Sequence, residues 1–311
     1  MRIVVHGQQA FGKAVLEALL KRKENIAGVY CAPDKPSAGK GGIDPMKEYA
    51  LSQGLTVTQP KSWKDPATWE QLKALNADLC VMAYVTLFVP SQALNTPRLG
   101  TIQYHPSLLP MHRGPSSINW PIIQGSKKTG LTIFWPDDGL DEGPILLQKT
   151  IEIGPDDTLG TIYFNKLFPM GVEAMLEAVD LVKAGKAPRI VQDLSKGSYE
   201  SWCKRENARI DWSQPAAQVH NLIRGTNPQP GAWTMLAGKA LDIYDCALVA
   251  GNGQPGEIIA VSSGEFTVAA GSGAGGGAIQ VKRVKLENGQ KVKAGELAAS
   301  VGLNPGSRLG E

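Results

Sequence analysis

Apolar positions along the first 150 residues fall into two alternating rhythms. Residues 2–5 (RIVV) form a short β-rich run, a glycine turn follows from Gly7 to Gly12, and residues 13–21 place Val15, Leu16, Leu19 and Leu20 on one helical face. The same alternation predicts strands over 26–31, 55–58 and 78–84 and helices over 45–53 and 69–75. The run Asp78-Leu-Cys-Val-Met-Ala-Tyr84 is almost wholly apolar, as a central parallel strand covered on both faces must be. Repeated units of this kind predict an α/β domain with a doubly wound, mostly parallel sheet.

After residue 150 the rhythm changes. Residues 158–184 read as one long helical segment, and 186–198, interrupted by Pro, Gly and charge, read as a linker. A boundary near residue 200 therefore separates a first domain, 1–200, from a smaller one, 205–311. In the second, 215–224 form a short amphipathic helix, and 232–235, 240–248, 256–261, 266–270 and 278–284 read as strands between glycine turns. That pattern predicts a small β-barrel or sandwich. The glycine-rich run 271–277 reads as a hairpin loop rather than a phosphate cradle, because no helix opening on Lys-Ser/Thr follows it.

A length of 311 residues suits about two domains, each with its own core. The 32 Lys and Arg against 29 Asp and Glu leave a net charge of +3, too small to imply a general affinity for phosphate backbones or anionic membranes. Cys31, Cys80, Cys203 and Cys246 stand singly with no C-x-x-C pair, which argues against a disulfide framework or a zinc site and for a reducing compartment. No stretch approaches the ~18 consecutive apolar residues of a membrane helix, and the N-terminus lacks a signal-peptide pattern. The expectation is a cytoplasmic protein with no membrane partner.

Three segments carry candidate chemistry. Gly7-Gln-Gln-Ala-Phe-Gly12 occupies the first strand-to-helix turn but lacks the G-x-G-x-x-G spacing, and no acidic residue ends the second strand to hold a ribose. It reads as a turn needed for helix packing, not as an NAD site. In the segment 100–115, a strand bearing Gln103 and His105 two residues apart runs into a proline-bounded loop, so both side chains face one side. Downstream, an apolar strand ends in four carboxylates held by glycines, Asp137, Asp138, Asp141 and Glu142. Catalytic groups of open α/β sheets gather at the carboxyl ends of strands, so a His after one strand and an Asp after the next can converge. Taken alone, each has a plainer reading, a structural histidine and turn-forming aspartates.

Together, His105-Pro-Ser-Leu-Leu-Pro-Met-His-Arg-Gly114 and Asp137-Asp-Gly-Leu-Asp-Glu-Gly143 resemble the signature of the 10-formyltetrahydrofolate-dependent formyltransferases. The chain is most similar to the N-terminal hydrolase domain of 10-formyltetrahydrofolate dehydrogenase, with methionyl-tRNA formyltransferase next. The likeness continues through Ser117-Ile-Asn-Trp120, Leu146-Leu-Gln-Lys149, Ile210-Asp-Trp-Ser-Gln-Pro215 and Pro230-Gly-Ala-Trp-Thr234. It implies a Rossmann-like formyltransferase fold followed by an OB-like barrel, with 10-formyltetrahydrofolate as formyl donor and neither metal nor NAD required. It also implies that His105 hydrogen-bonds or protonates the formyl oxygen, that Asp141 acts as base and holds the imidazole in its working tautomer, and that Leu87, Phe88, Val89, Ser107, Asp138 and Gly139 bind the folate. Transferases of the family carry Asn where this chain has Gln103, and the hydrolase domain departs there too, so the loss of Asn is compatible with hydrolysis.

The acceptor divides the readings. Water gives a hydrolase, a small amine gives a transferase, and methionyl-tRNA adds a polyanionic requirement. From Arg205 onward ten Lys and Arg face nine Asp and Glu, a balance that disfavours tRNA. The cluster Lys282, Arg283, Lys285, Lys291 and Lys293, and the loop 33–42 with Lys35 and Lys40, are the features that keep it open. A non-catalytic folate sensor or formyl carrier is the remaining class, against which an intact His105 and Asp141 pair argues.

Overall fold

Seven strands build the first sheet: β1 (Arg2–Gly7), β2 (Asn25–Tyr30), β3 (Val57–Thr58), β4 (Leu79–Ala83), β5 (Thr101–His105), β6 (Lys128–Phe134) and β7 (Ile145–Glu152). Their order is β3-β2-β1-β4-β5-β6-β7, with β1 to β5 parallel and β6 antiparallel to β5. This computed structural model describes residues 1–34, 42–273 and 276–310; Lys35 and Lys40, and two residues of the glycine-rich run, lie outside them. All five residues of β4 are buried, as its apolar run requires. The strand order reverses between β1 and β4, where open α/β sheets form their ligand crevice at the carboxyl ends.

The helices α1 (Gln9–Lys21), α2 (Pro45–Ser52), α3 (Pro66–Ala74) and α4 (Ser91–Leu94) fill the crossovers between the parallel strands, and α5 (Asn119–Ile123) lies in the connection from β5 to β6. Helix α1 begins four residues before the apolar spacing suggests, because the Asp44 carboxylate accepts from the Gln9 N–H as well as capping α2 through Met46 and Lys47. A Cβ on Gly7 would lie 2.3 Å from the Ala83 carbonyl oxygen, and one on Gly12 2.6 Å from Met46 Sδ. The glycines of the first turn thus have a packing reason to be there.

The long helical segment expected over 158–184 forms as one uninterrupted run from Leu159 to Lys183, with a change of pitch inside it. A short turn, α6 (Leu159–Thr161), passes into a π-helical turn, Ile162–Leu167, before α7 (Phe168–Lys183). Pro169 sits in the first turn of α7 and lacks the N–H that a continuous α-helix would need there.

The chain divides into two compact units: Met1–Gly114, Gly130–Thr150 and Lys166–Tyr199 in one, and Pro115–Thr129, Ile151–Asn165 and Glu200–Glu311 in the other. The last crossing falls at residue 200, and two earlier segments also join the second unit. Asn119 of α5 donates to the carbonyls of Gly225 and Gln229, and Arg224 to those of Gly154 and Asp157; these bonds tie both segments to α8 (Ala216–Gly225) and its C-terminal turn.

The second unit also holds β8 (Ala232–Leu236), β9 (Lys239–Ile243), β10 (Cys246–Val249), β11 (Ile258–Val261), β12 (Phe266–Ala270), β13 (Gly277–Val281), β14 (Arg283–Leu286) and β15 (Lys291–Lys293), then α9 (Ala294–Val301). They form two four-stranded sheets, β10-β13-β12-β11 and β15-β14-β9-β8, antiparallel at each registered pair. Two runs that read as single strands each pass from one sheet to the other: β9 into β10 and β13 into β14. They turn at a shared corner, where the Asp245 carbonyl accepts from the N–H groups of Lys282 and Arg283. Among the described residues no pairing closes the two sheets into one barrel. Neither β15 nor α9 is visible in the apolar pattern, the first being three residues long and the second rich in alanine.

His6, on β1, illustrates the cost of the buried sheet. It is 3 % exposed beside the rings of Trp63 and Tyr30, and burial lowers its pKa from the ordinary 6.5 to about 3. The unfolded chain therefore binds a proton below pH 6.5 that the folded chain refuses down to about pH 3, and stability falls by about 1.4 kcal/mol per pH unit across that window. Urea unfolding at pH 6.5 and pH 5 should show the parent losing about 2 kcal/mol more than His6→Phe; equal losses would mean that His6 does not carry the effect.

Candidate active site

Pro106 ends the β5 ladder immediately after His105, which leaves the imidazole at the carboxyl end of a central strand. The loop that follows is folded by its own polar groups. Ser107 Oγ donates to the Met111 carbonyl at 2.7 Å, Thr132 Oγ1 donates to Ser107 O and accepts from Leu109 N, and Gln148 Nε2 donates to Leu109 O. His112, at φ +56°, then presents its carbonyl to His105 Nε2 at 2.9 Å. A carbonyl only accepts, so Nε2 must carry a hydrogen, and Nδ1 is the ring nitrogen left for chemistry.

The four carboxylates after β6 separate into four tasks. Asp137 accepts from Gly139 N and closes a turn, Asp138 accepts from Ser91 N at the start of α4, and Glu142 pairs with Arg113. Asp141, at φ +57°, lies with Oδ2 2.9 Å from the Gly114 N–H and 3.6 Å from His105 Nδ1. His105 is 5 % and Asp141 9 % exposed. The two side chains that the sequence pairs are thus brought together, with Nδ1 and Oδ2 adjacent but not hydrogen-bonded. The contact that sets the imidazole tautomer is the His112 carbonyl, not the Asp141 carboxylate.

Gln103 shares the face of β5 with His105, is half-buried, and its carboxamide has no hydrogen-bond partner among the described residues. Leu87 and Phe88 are exposed, Phe88 by 62 %, whereas Val89 packs into the core with Trp63 and Leu72. Ser107 is fully buried with its hydroxyl engaged by the loop, so it shapes the backbone. Asp138 and Gly139 sit in the turn between β6 and Asp141.

One residue of the site is absent from the sequence reading. Gln192, in the stretch that reads as a linker, donates from Nε2 to the carbonyls of Asp141 and Gly143 at 2.9 and 2.7 Å. Nothing in the surrounding composition marks it; only the fold brings it to the loop. The four cysteines lie elsewhere, and burial pushes the thiols of Cys31, Cys80 and Cys246 up to about 12 and that of Cys203 to about 11, so none offers a thiolate near neutral pH. Among the described residues no cluster of three His, Cys, Asp or Glu side chains is arranged to hold a metal, and no helix is long and apolar enough to cross a membrane.

A formyl transferase family model matches residues 1–179, and the formyl transferase C-terminal domain matches 203–302. The cytosolic 10-formyltetrahydrofolate dehydrogenase of Xenopus laevis is 41% identical over 308 residues, covering 95% of this chain and 34% of that protein, so the chain spans about a third of such relatives. Methionyl-tRNA formyltransferase of Geobacter sulfurreducens is 35% identical and matches along 100% of this chain and 97% of its own length. Among solved structures, HypX from Aquifex aeolicus in complex with tetrahydrofolic acid superimposes with a TM-score of 0.66 at 19% identity, covering 96% of this chain and 47% of its own, a likeness of fold. With a matching model over more than half its length, the chain is a member of the formyl transferase family of enzymes.

Proposed function

We propose that this protein hydrolyses 10-formyltetrahydrofolate to tetrahydrofolate and formate. The observation that carries the reading is the buried pair in which Asp141 Oδ2 and His105 Nδ1 stand 3.6 Å apart at the carboxyl end of the sheet. A water placed against Asp141 loses a proton to the carboxylate as its oxygen bonds to the formyl carbon. His105, carrying a proton on both ring nitrogens for this step, donates Nδ1–H to the developing oxyanion while Nε2–H stays on the His112 carbonyl. The C–N10 bond then breaks, N10 takes the proton that Asp141 collected, and formic acid leaves, losing its remaining proton to solvent as formate. Leu87, Phe88, Asp138 and Gly139 would line the folate pocket, with Val89 and Ser107 acting from behind it and Gln103 offering its free amide to the formyl group. None of these steps asks for a metal or NAD, and the composition suits the cytoplasm. The domains are read as 1–200 and 205–311, with the segments 115–129 and 151–165 of the first counted to the second unit, and the second is read as OB-like because two of its chain runs cross between both sheets.

Two further points support water as acceptor. The chain is more similar to the N-terminal third of the dehydrogenases than to methionyl-tRNA formyltransferase, and the family resemblance puts Gln103 where the transferases usually carry Asn. One observation favours a second reading, formyl transfer to methionyl-tRNA. Across β14 and β15, Arg283 pairs with Lys293 and Lys285 with Lys291, like charges directly opposite that a polyanion would relieve. The test is incubation with 10-formyltetrahydrofolate alone and with charged initiator tRNA. Tetrahydrofolate and formate should accumulate in equal amounts without tRNA and no faster with it; turnover that waits for tRNA would replace the first reading with the second.

A further inference from the structure

We infer that the segment 188–199 is a positioning strap for the reaction, with Gln192 as its principal residue; this rests on the acid–base reading of His105 and Asp141. The strap is anchored where Ile190 exchanges two backbone hydrogen bonds with Ile145 and where Trp135 Nε1 donates to the Pro188 carbonyl. Gln192 is 7 % exposed, and its Nε2 spans the carbonyls of Asp141 and Gly143. Both partners can only accept, so the amide has one allowed orientation, in which Oε1 is buried with no partner among the described residues. An unpaired buried acceptor is a penalty that an apolar side chain of the same volume would avoid, so packing alone does not account for a glutamine here.

The two donated bonds constrain Asp141. That residue adopts a left-handed backbone, which a non-glycine side chain resists, and the bonds on either side of Glu142 hold the turn in that state. The carboxylate is then directed to the Gly114 N–H and to within 3.6 Å of His105 Nδ1. Further along the strap, Ser198 Oγ accepts from His112 N at 2.9 Å, its carbonyl accepts from Arg113 N, and its N–H donates to the Pro110 carbonyl. These bonds fix His112, whose carbonyl orients His105. One segment therefore holds both members of the pair, Asp141 through Gln192 and His105 through Ser198.

Gln192→Met keeps the length and volume of the side chain and removes both donors. Its kcat per folded enzyme should fall about 10–100-fold, because a misplacement of about 1 Å costs about a hundredfold, while KM for 10-formyltetrahydrofolate stays within about twofold. Gln192→Glu, which turns a carboxylate toward the same carbonyls, should fall at least as far and serves if the Met variant does not fold. A folded variant with kcat within twofold of the parent, a rise in KM at constant kcat, or a loss explained by the unfolded fraction alone overturns the inference. Asp141→Asn is assayed alongside: if it retains turnover, the acid–base reading itself has failed, whereas an inactive Asp141→Asn beside active Gln192 variants sinks the strap alone.

Discussion

Asp141→Asn and His105→Ala each lower kcat for acceptor-free turnover about 10²–10⁴-fold, the range of a single positioned acid or base, with little change in KM. Asn keeps the shape of Asp141 and can still accept from the Gly114 N–H, so the loop stays in place while the proton acceptor is lost. Alanine at 105 removes the donor to the oxyanion and frees the His112 carbonyl, and it leaves the Asp141 turn, which is held by Gln192, untouched. Because the carboxylate and the imidazole act together in the one addition step, the double variant loses little more than either single one. Independent, multiplicative losses would show that the two side chains do not share a step.

Gly143→Ala should be the most damaging small substitution in the catalytic loop. A Cβ there would stand 1.9 Å from the Trp135 carbonyl oxygen and 3.0 Å from its carbon, backbone atoms that cannot rotate away. Trp135 N donates to the Pro144 carbonyl beside it, so relieving the clash pulls apart the base of the loop that carries Asp141. Overpacking of this kind costs about 3 kcal/mol. The displaced carboxylate adds a kcat loss of about a hundredfold in whatever protein remains folded. Gly264→Ala, where a Cβ meets nothing within 4 Å, should stay within about 0.5 kcal/mol of the parent. Thermal melts of both variants beside their kcat values check the pair; a Gly143→Ala enzyme as stable and as fast as the parent would remove the close approach from the account.

The parts of the fold set by local pattern were legible in the residues, and the parts set by distant contacts were not. The apolar face of α1 and the buried run of β4 appear where periodicity places them, since each is fixed by what its own side chains must bury. The true start of α1 depends on the Asp44 carboxylate 35 residues away, and the joining of α5 to α8 on Asn119, which no window of local sequence contains. In the second unit, two continuous β-rich runs hide a change of sheet at Asp245, because no glycine or proline marks the corner in either run. At the site, His105 and Asp141 stand out through their motif. Gln192 does not, because its role comes from an amide reaching two backbone carbonyls, and carbonyls leave no mark in the sequence.

Isotope transfer reads directly whether water is the nucleophile. The protein is incubated with 10-formyltetrahydrofolate in ¹⁸O-enriched water without any amine acceptor, and the formate is analysed by mass spectrometry. Each formate released should carry one solvent-derived oxygen, at a rate that Asp141→Asn and His105→Ala both suppress. Formate released at equal rates by the parent and both variants, or tetrahydrofolate that forms only once an amine is supplied, would overturn the hydrolase reading.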